Sequence, residues 1–65
     1  MIITEEGTYR LLEDRRFRFS AISTGTCPKG MQFTVTQIDR SATVFYSPQL
    51  GDWQYMGDLP VERIV

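Results

Sequence analysis

Apolar and polar residues alternate along this chain in short runs broken by turn residues. "TYRLL" (8–12) sets Tyr9 and Leu11 on one face, and "RRFRFSAI" (15–22) sets Arg16 and Arg18 against Phe17, Phe19 and Ala21. "MQFTVTQI" (31–38) opposes Phe33 and Val35 to Thr34 and Thr36, with Ile38 out of phase. "ATVFYS" (42–47) opposes Ala42, Val44 and Tyr46 to Thr43 and Phe45, and "DWQYM" (52–56) opposes Trp53 and Tyr55 to Gln54 and Met56. Period-two alternation is the mark of half-buried strands, and β-branched and aromatic residues suit their pleated surface. No window carries a sustained helical repeat with caps. The out-of-phase Ile38 predicts a bulge or a bend from one sheet to another.

Turn signals separate the runs: Gly7, Glu13-Asp14, "GTCPKG" (25–30), "DRS" (39–41), "SPQLGD" (47–52) and "GDLP" (57–60). Short strands at such spacing predict a small all-β sandwich or barrel. "DRS" is short enough to close a hairpin between 31–38 and 42–47. In "SPQLGD", Pro48 restricts one backbone angle and Gly51 permits positive φ, so this loop also predicts a reversal. The three segments 31–38, 42–47 and 52–56 then form a meander. About five strands in so short a chain must curl or close to avoid bare edges.

"KGMQFTV", the hairpin after it, and the terminal "GDLPVERIV" resemble the second half of SH3-like small β-barrels, over residues 29–65. The resemblance implies a five-to-six-stranded SH3-like barrel, one domain over 1–65, with residues 13–30 as its long first loop. It also implies a step at Gly57-Asp58-Leu59-Pro60, a short 3-10 turn at Val61-Glu62-Arg63 and a closing strand at Ile64-Val65. It does not bring the family's proline-rich peptide groove. That groove needs an "ALYDY"-type motif, a paired tryptophan opening the third strand and an acidic first loop. Here the first loop is basic, Trp53 lies one strand later, and Val44 or Phe45 stands at the tryptophan position.

Composition narrows the classes. The 65 residues have 42% hydrophobic content, with four Phe, three Tyr and one Trp, which suits a folded globule. A domain this small buries only about 60% of its unfolded surface, so its core is marginal. With one cysteine, Cys27, no internal disulfide forms, and with no histidine the usual zinc sets are missing. No apolar run approaches a membrane span, and "MIITEEGTYR" does not read as a secretory signal. A reduced, cytoplasmic setting is the expectation.

Catalysis is not expected. The commonest general base is absent. Cys27, beside Lys29, would need a base and an orienting group, and its plain reading is a small apolar residue in a turn. The carboxylates do not form a spacing that requires a metal. "GTCPKG" is not a phosphate loop. No metal and no cofactor are expected.

Net charge is −1, yet residues 10–40 hold six bases and three acids. The aromatics of "FYSPQLGDWQYM" cluster around one hairpin, and any that face outward become binding anchors. The expected function is therefore non-enzymatic protein binding, through Arg15, Arg16, Arg18, Phe45, Trp53 and Tyr55. Read as a free-standing chain, its concrete form is a small phage or mobile-element inhibitor or adaptor, anti-CRISPR-like, acting on a larger machine. The partner is another protein or protein complex, and a homo-oligomer is compatible. The alternative is a nucleic-acid-binding barrel using Arg10, Arg15, Arg16, Arg18 and Lys29, in which the arginines meet phosphates and aromatics stack on bases.

Overall fold

The computed structural model describes residues 1–64 and contains only strands, turns and irregular segments. The strands are β1 (Gly7–Leu11), β2 (Arg15–Ser20), β3 (Ser23–Cys27), β4 (Gln32–Val35), β5 (Gln37–Ile38), β6 (Val44–Tyr46), β7 (Trp53–Tyr55) and β8 (Val61–Arg63). They make three small sheets, ordered β4-β1-β8, β2-β3 and β5-β6-β7, and every pairing is antiparallel. The all-β class is as expected. The sheets do not close into a single barrel, and the short strands are more numerous than the five or six foreseen. One cause lies in the expected first loop: residues 15–27 fold back on themselves as the β2-β3 hairpin, with Ala21 and Ile22 in its turn.

The meander is present. Out of phase as the sequence suggested, the chain breaks at Thr36, so β4 pairs with β1 while β5 pairs with β6. Thr36 donates its N–H to the Tyr46 carbonyl at 3.0 Å, which carries the strand across the corner. In the Asp39–Ala42 turn, Ala42 adopts φ 55° and donates its N–H to the Asp39 carbonyl at 2.9 Å.

The C-terminal stretch departs from expectation. Val61–Arg63 is extended, as β8, and not a 3-10 turn, because Tyr9, Arg10 and Leu11 of β1 pair with Arg63, Glu62 and Val61. Pairing along β1 supplies those backbone groups with partners that a turn would leave unmet. The reversal occurs earlier, where Val61 donates to the Leu59 carbonyl. Ile64 donates to the Thr8 carbonyl, and Val65 of the expected closing strand lies outside the described residues.

The core is Ile3, Tyr9, Leu11, Phe17, Cys27, Phe33, Val35, Phe45, Leu50, Leu59 and Val61. Phe33 lies at its centre. Its ring is 6.0 Å from Tyr9, 6.1 Å from Phe17 and 6.1 Å from Phe45, so one side chain links all three sheets. Ser47 is fully buried, and its hydroxyl donates to Gln49 Oε1. The same Oε1 accepts the Thr34 N–H at 3.0 Å, which satisfies an edge amide of β4.

Candidate functional site: an aromatic sheet face beside an arginine hairpin

Register decides which aromatics are outside. In the third sheet Tyr46 lies opposite Trp53, and Val44 lies opposite Tyr55. Residues two apart share a face, so Val44, Tyr46, Trp53 and Tyr55 lie together on one side. That side faces water: Trp53 is 37% exposed and Tyr55 81%. The Tyr46 and Trp53 rings sit 5.7 Å apart and tilted by 52°, a spacing typical of an interacting pair. Tyr46 and Val44 are half-buried beneath the patch.

The opposite side faces the core. Phe45, expected among the partner-binding residues, is fully buried against Phe33 and meets no solvent. It points the other way from Val44 and Tyr46 because alternation within β6 leaves one large side chain to fill the interior. Sequence alternation separated these two sets correctly but did not tell inside from outside. The missing signal was the cross-strand register, which adds Tyr46 and Val44 to the surface set.

The β2-β3 hairpin is fastened beside this sheet. Gln54 donates from Nε2 to the Arg18 carbonyl at 2.6 Å and to the Asp52 carbonyl at 3.2 Å. Arg18 Nε stands 3.3 Å from Asp52 Oδ2, and Asp52 Oδ1 accepts the Trp53 N–H at 2.8 Å. Arg18 is thus held one residue from Trp53. Arg16 and Arg18 share the outer face of β2, where they lie opposite Thr26 and Thr24. Arg16 reaches across to donate from Nη2 to Thr24 Oγ1 at 2.7 Å.

Arg15 does not join them. It lies opposite Cys27, on the side that carries Phe17, so the three arginines do not form one face. Arg10 is on β1 and donates to Glu62 Oε1 of β8, at 2.9 Å from Nε. Lys29 lies in the turn after β3, where its backbone N–H is bound by Asp14 Oδ1 at 2.8 Å. The five basic residues foreseen for nucleic acid are therefore spread over different elements, and two of them, Arg10 and Arg18, face a carboxylate of their own.

Cys27 ends β3 with its side chain buried, and burial raises its thiol pKa. Among the described residues no three His, Cys, Asp or Glu side chains converge as a metal site, no pocket opens, and no helix is long and apolar enough to cross a membrane. Comparison with family models, curated proteins and solved structures finds no match to this chain.

Proposed function

We propose that this chain is a protein-binding module whose contact surface is the outer face of β6 and β7, with Trp53 and Tyr55 as anchors and Arg16 and Arg18 at its margin. The observation that carries this reading is the exposed aromatic pair in a chain with few large side chains to spare. Tyr55 is 81% exposed while Tyr9, Phe33 and Phe45 fill the core. Grouped aromatics on a sheet face, with arginine at the edge, have the composition of protein contact sites. The form of the activity suggested by the sequence, a small phage or mobile-element inhibitor or adaptor, fits a surface used for docking and is proposed with it.

An SH3-like arrangement is part of the same proposal. Support comes from the long insertion between β1 and β4, the meander after it, and a short last strand returning to β1. The family's peptide groove is not carried over, because the aromatic face lies on β6 and β7 and not beside an acidic first loop.

The test is affinity capture from the native host with the wild-type chain and a Trp53→Ala/Tyr55→Ser variant. A single stoichiometric partner should be held by the wild type. Loss of one central aromatic anchor typically costs about 2 kcal/mol or more, roughly thirtyfold in affinity. Retention of the partner by a folded double variant overturns the assignment of the face. Capture of nucleic acid, with steep loss as salt rises and with Arg16→Ala/Arg18→Ala, favours the alternative instead.

A further inference from the structure

The strand edges of this fold are not equally protected. An unpaired edge offers backbone N–H and C=O groups to any extended chain, and proteins blunt such edges with charge, proline, bulges or covering segments. On β4 the Thr34 N–H is taken by Gln49. On β2 the Arg18 carbonyl is taken by Gln54, and the Phe19 carbonyl is 3.2 Å from where a Cβ on Gly51 would stand, so the 51–54 segment covers that edge. β8 follows Pro60 and carries Glu62 and Arg63, which engage Arg10 and Glu5. β7 is clamped by Gln54 to β2, and the Met56 N–H after it is bound by the Thr43 carbonyl.

β3 has none of these devices within Ser23–Cys27: Pro28 follows the strand, and the irregularity of its ladder, between Arg18 and Ser20, lies on β2. Its sequence is Ser23-Thr24-Gly25-Thr26-Cys27, without charge or proline. Among the described residues its backbone makes no hydrogen bond other than those to β2. Ser23, Thr24 and Thr26 are exposed. Half of the backbone groups of a strand paired on one side only point outward.

Two side chains from β2 lean across β3, one on each face. Arg16 lies over it on the outer face, bonded to Thr24 Oγ1. On the other face the Phe19 ring lies over Gly25, with Phe19 Cε2 only 2.6 Å from where a Cβ would be. Glycine at position 25 makes room for that ring. A strand added at β3, about 4.8 Å away, would meet a guanidinium on one side and a partly exposed aromatic ring on the other. Residues 15–27 contain three arginines and no acidic residue, so a second copy of this hairpin would bring like charge to the same place.

We propose that β3 accepts, by strand addition, an extended segment of a partner protein whose side chains alternate between acidic and apolar residues. Backbone bonds would supply affinity, and the alternation would set register and orientation. This surface is separate from the aromatic face, and either can fail alone.

The probe is a short capped peptide alternating valine with glutamate, compared with its counterpart carrying lysine in place of glutamate. Both are titrated at low salt against the full chain, with amide chemical shifts and hydrogen exchange followed by NMR. The glutamate peptide should slow exchange of outward-facing amides within 23–27. It should bind about three- to fivefold more tightly than the lysine peptide, the range an exposed ion pair supplies. Arg16→Glu should reverse the preference, and Arg16→Gln, a milder change, should abolish it. Equal affinity for both peptides, or no protection along β3, overturns the inference. Shifts confined to Trp53 and Tyr55 also overturn it, while leaving the aromatic face in place. Protection of β3 that rises with protein concentration alone overturns it in favour of a second copy on this edge.

Discussion

Replacing Phe33 should uncouple the three sheets. Among the described residues no sheet has more than three strands, and two- or three-stranded pieces of this length are marginal on their own. Phe33 is 1% exposed and touches the rings of Tyr9 from the first sheet, Phe17 from the second and Phe45 from the third. A chain of 65 residues has a total stability of about 3–10 kcal/mol. A buried Phe→Ala change costs about 3–5 kcal/mol through lost burial and the cavity left behind. Phe33→Ala should therefore remove about a third of that stability at the upper end of the range and all of it at the lower end. Phe33→Leu keeps most of the volume but loses the ring contacts, each worth about 0.5–1.5 kcal/mol and not additive, so a loss near 2 kcal/mol is expected. Phe17→Leu removes one of those three ring contacts and should cost less. Urea denaturation followed by Trp53 fluorescence and by circular dichroism gives the comparison. In the wild type the two probes should report one transition. A loss below about 0.5 kcal/mol for Phe33→Leu, or a greater loss for Phe17→Leu, would refute the central position given to Phe33.

Backbone positions separate by conformation and space. Ala42→Gly should stabilise the chain by about 0.5–1 kcal/mol in a thermal melt, because φ 55° strains a side chain that glycine lacks. Gly51→Ala should destabilise by about 1–2 kcal/mol, since its φ of +80° disfavours a Cβ that would also press on the Phe19 carbonyl, whereas Gly57→Ala, with open space, should stay within about 0.5 kcal/mol. Asp58 is held below the ordinary carboxylate range by the hydrogen bond and charge of the Met1 ammonium. A carboxyl whose folded pKa is depressed favours the folded state above its unfolded value near 3.9, and that contribution fades as pH falls through the folded pKa. Asp58→Asn should therefore flatten the acid side of the stability curve, seen in urea midpoints measured at successive pH values. Cys27, with its buried thiol and raised pKa, should react with a disulfide reagent at least roughly tenfold more slowly when native than in urea.

Alternation in the sequence was enough to separate Phe17 from Arg16 and Arg18, Phe33 and Val35 from the threonines, and Phe45 from Val44 and Tyr46. It also placed the corner near residues 36–38 and both hairpins of the meander. These features follow from two local rules, the period-two pleat and the chemistry of Pro, Gly and Asp in turns, which do not require knowledge of distant neighbours. Ile3, Leu50 and Leu59 could not be assigned to the core this way, since each lies in an irregular segment with no alternation to read. The pairing of β8 with β1 is likewise non-local: Val61 lies fifty residues beyond Leu11, and nothing in "VERIV" says that β1 has a free edge.

The class of fold, the positions of its turns and the lack of a histidine-based site were determined by the sequence itself, because they depend on residue type and immediate spacing. Which face of β6 is wet, which arginines meet a carboxylate, and whether the edge of β3 is covered were decided only in three dimensions. Alternation defines two faces of a strand but is symmetric between them. That symmetry is broken only when another sheet arrives to bury one side, as Phe33 does by taking Phe45 inward and leaving Trp53 and Tyr55 in water.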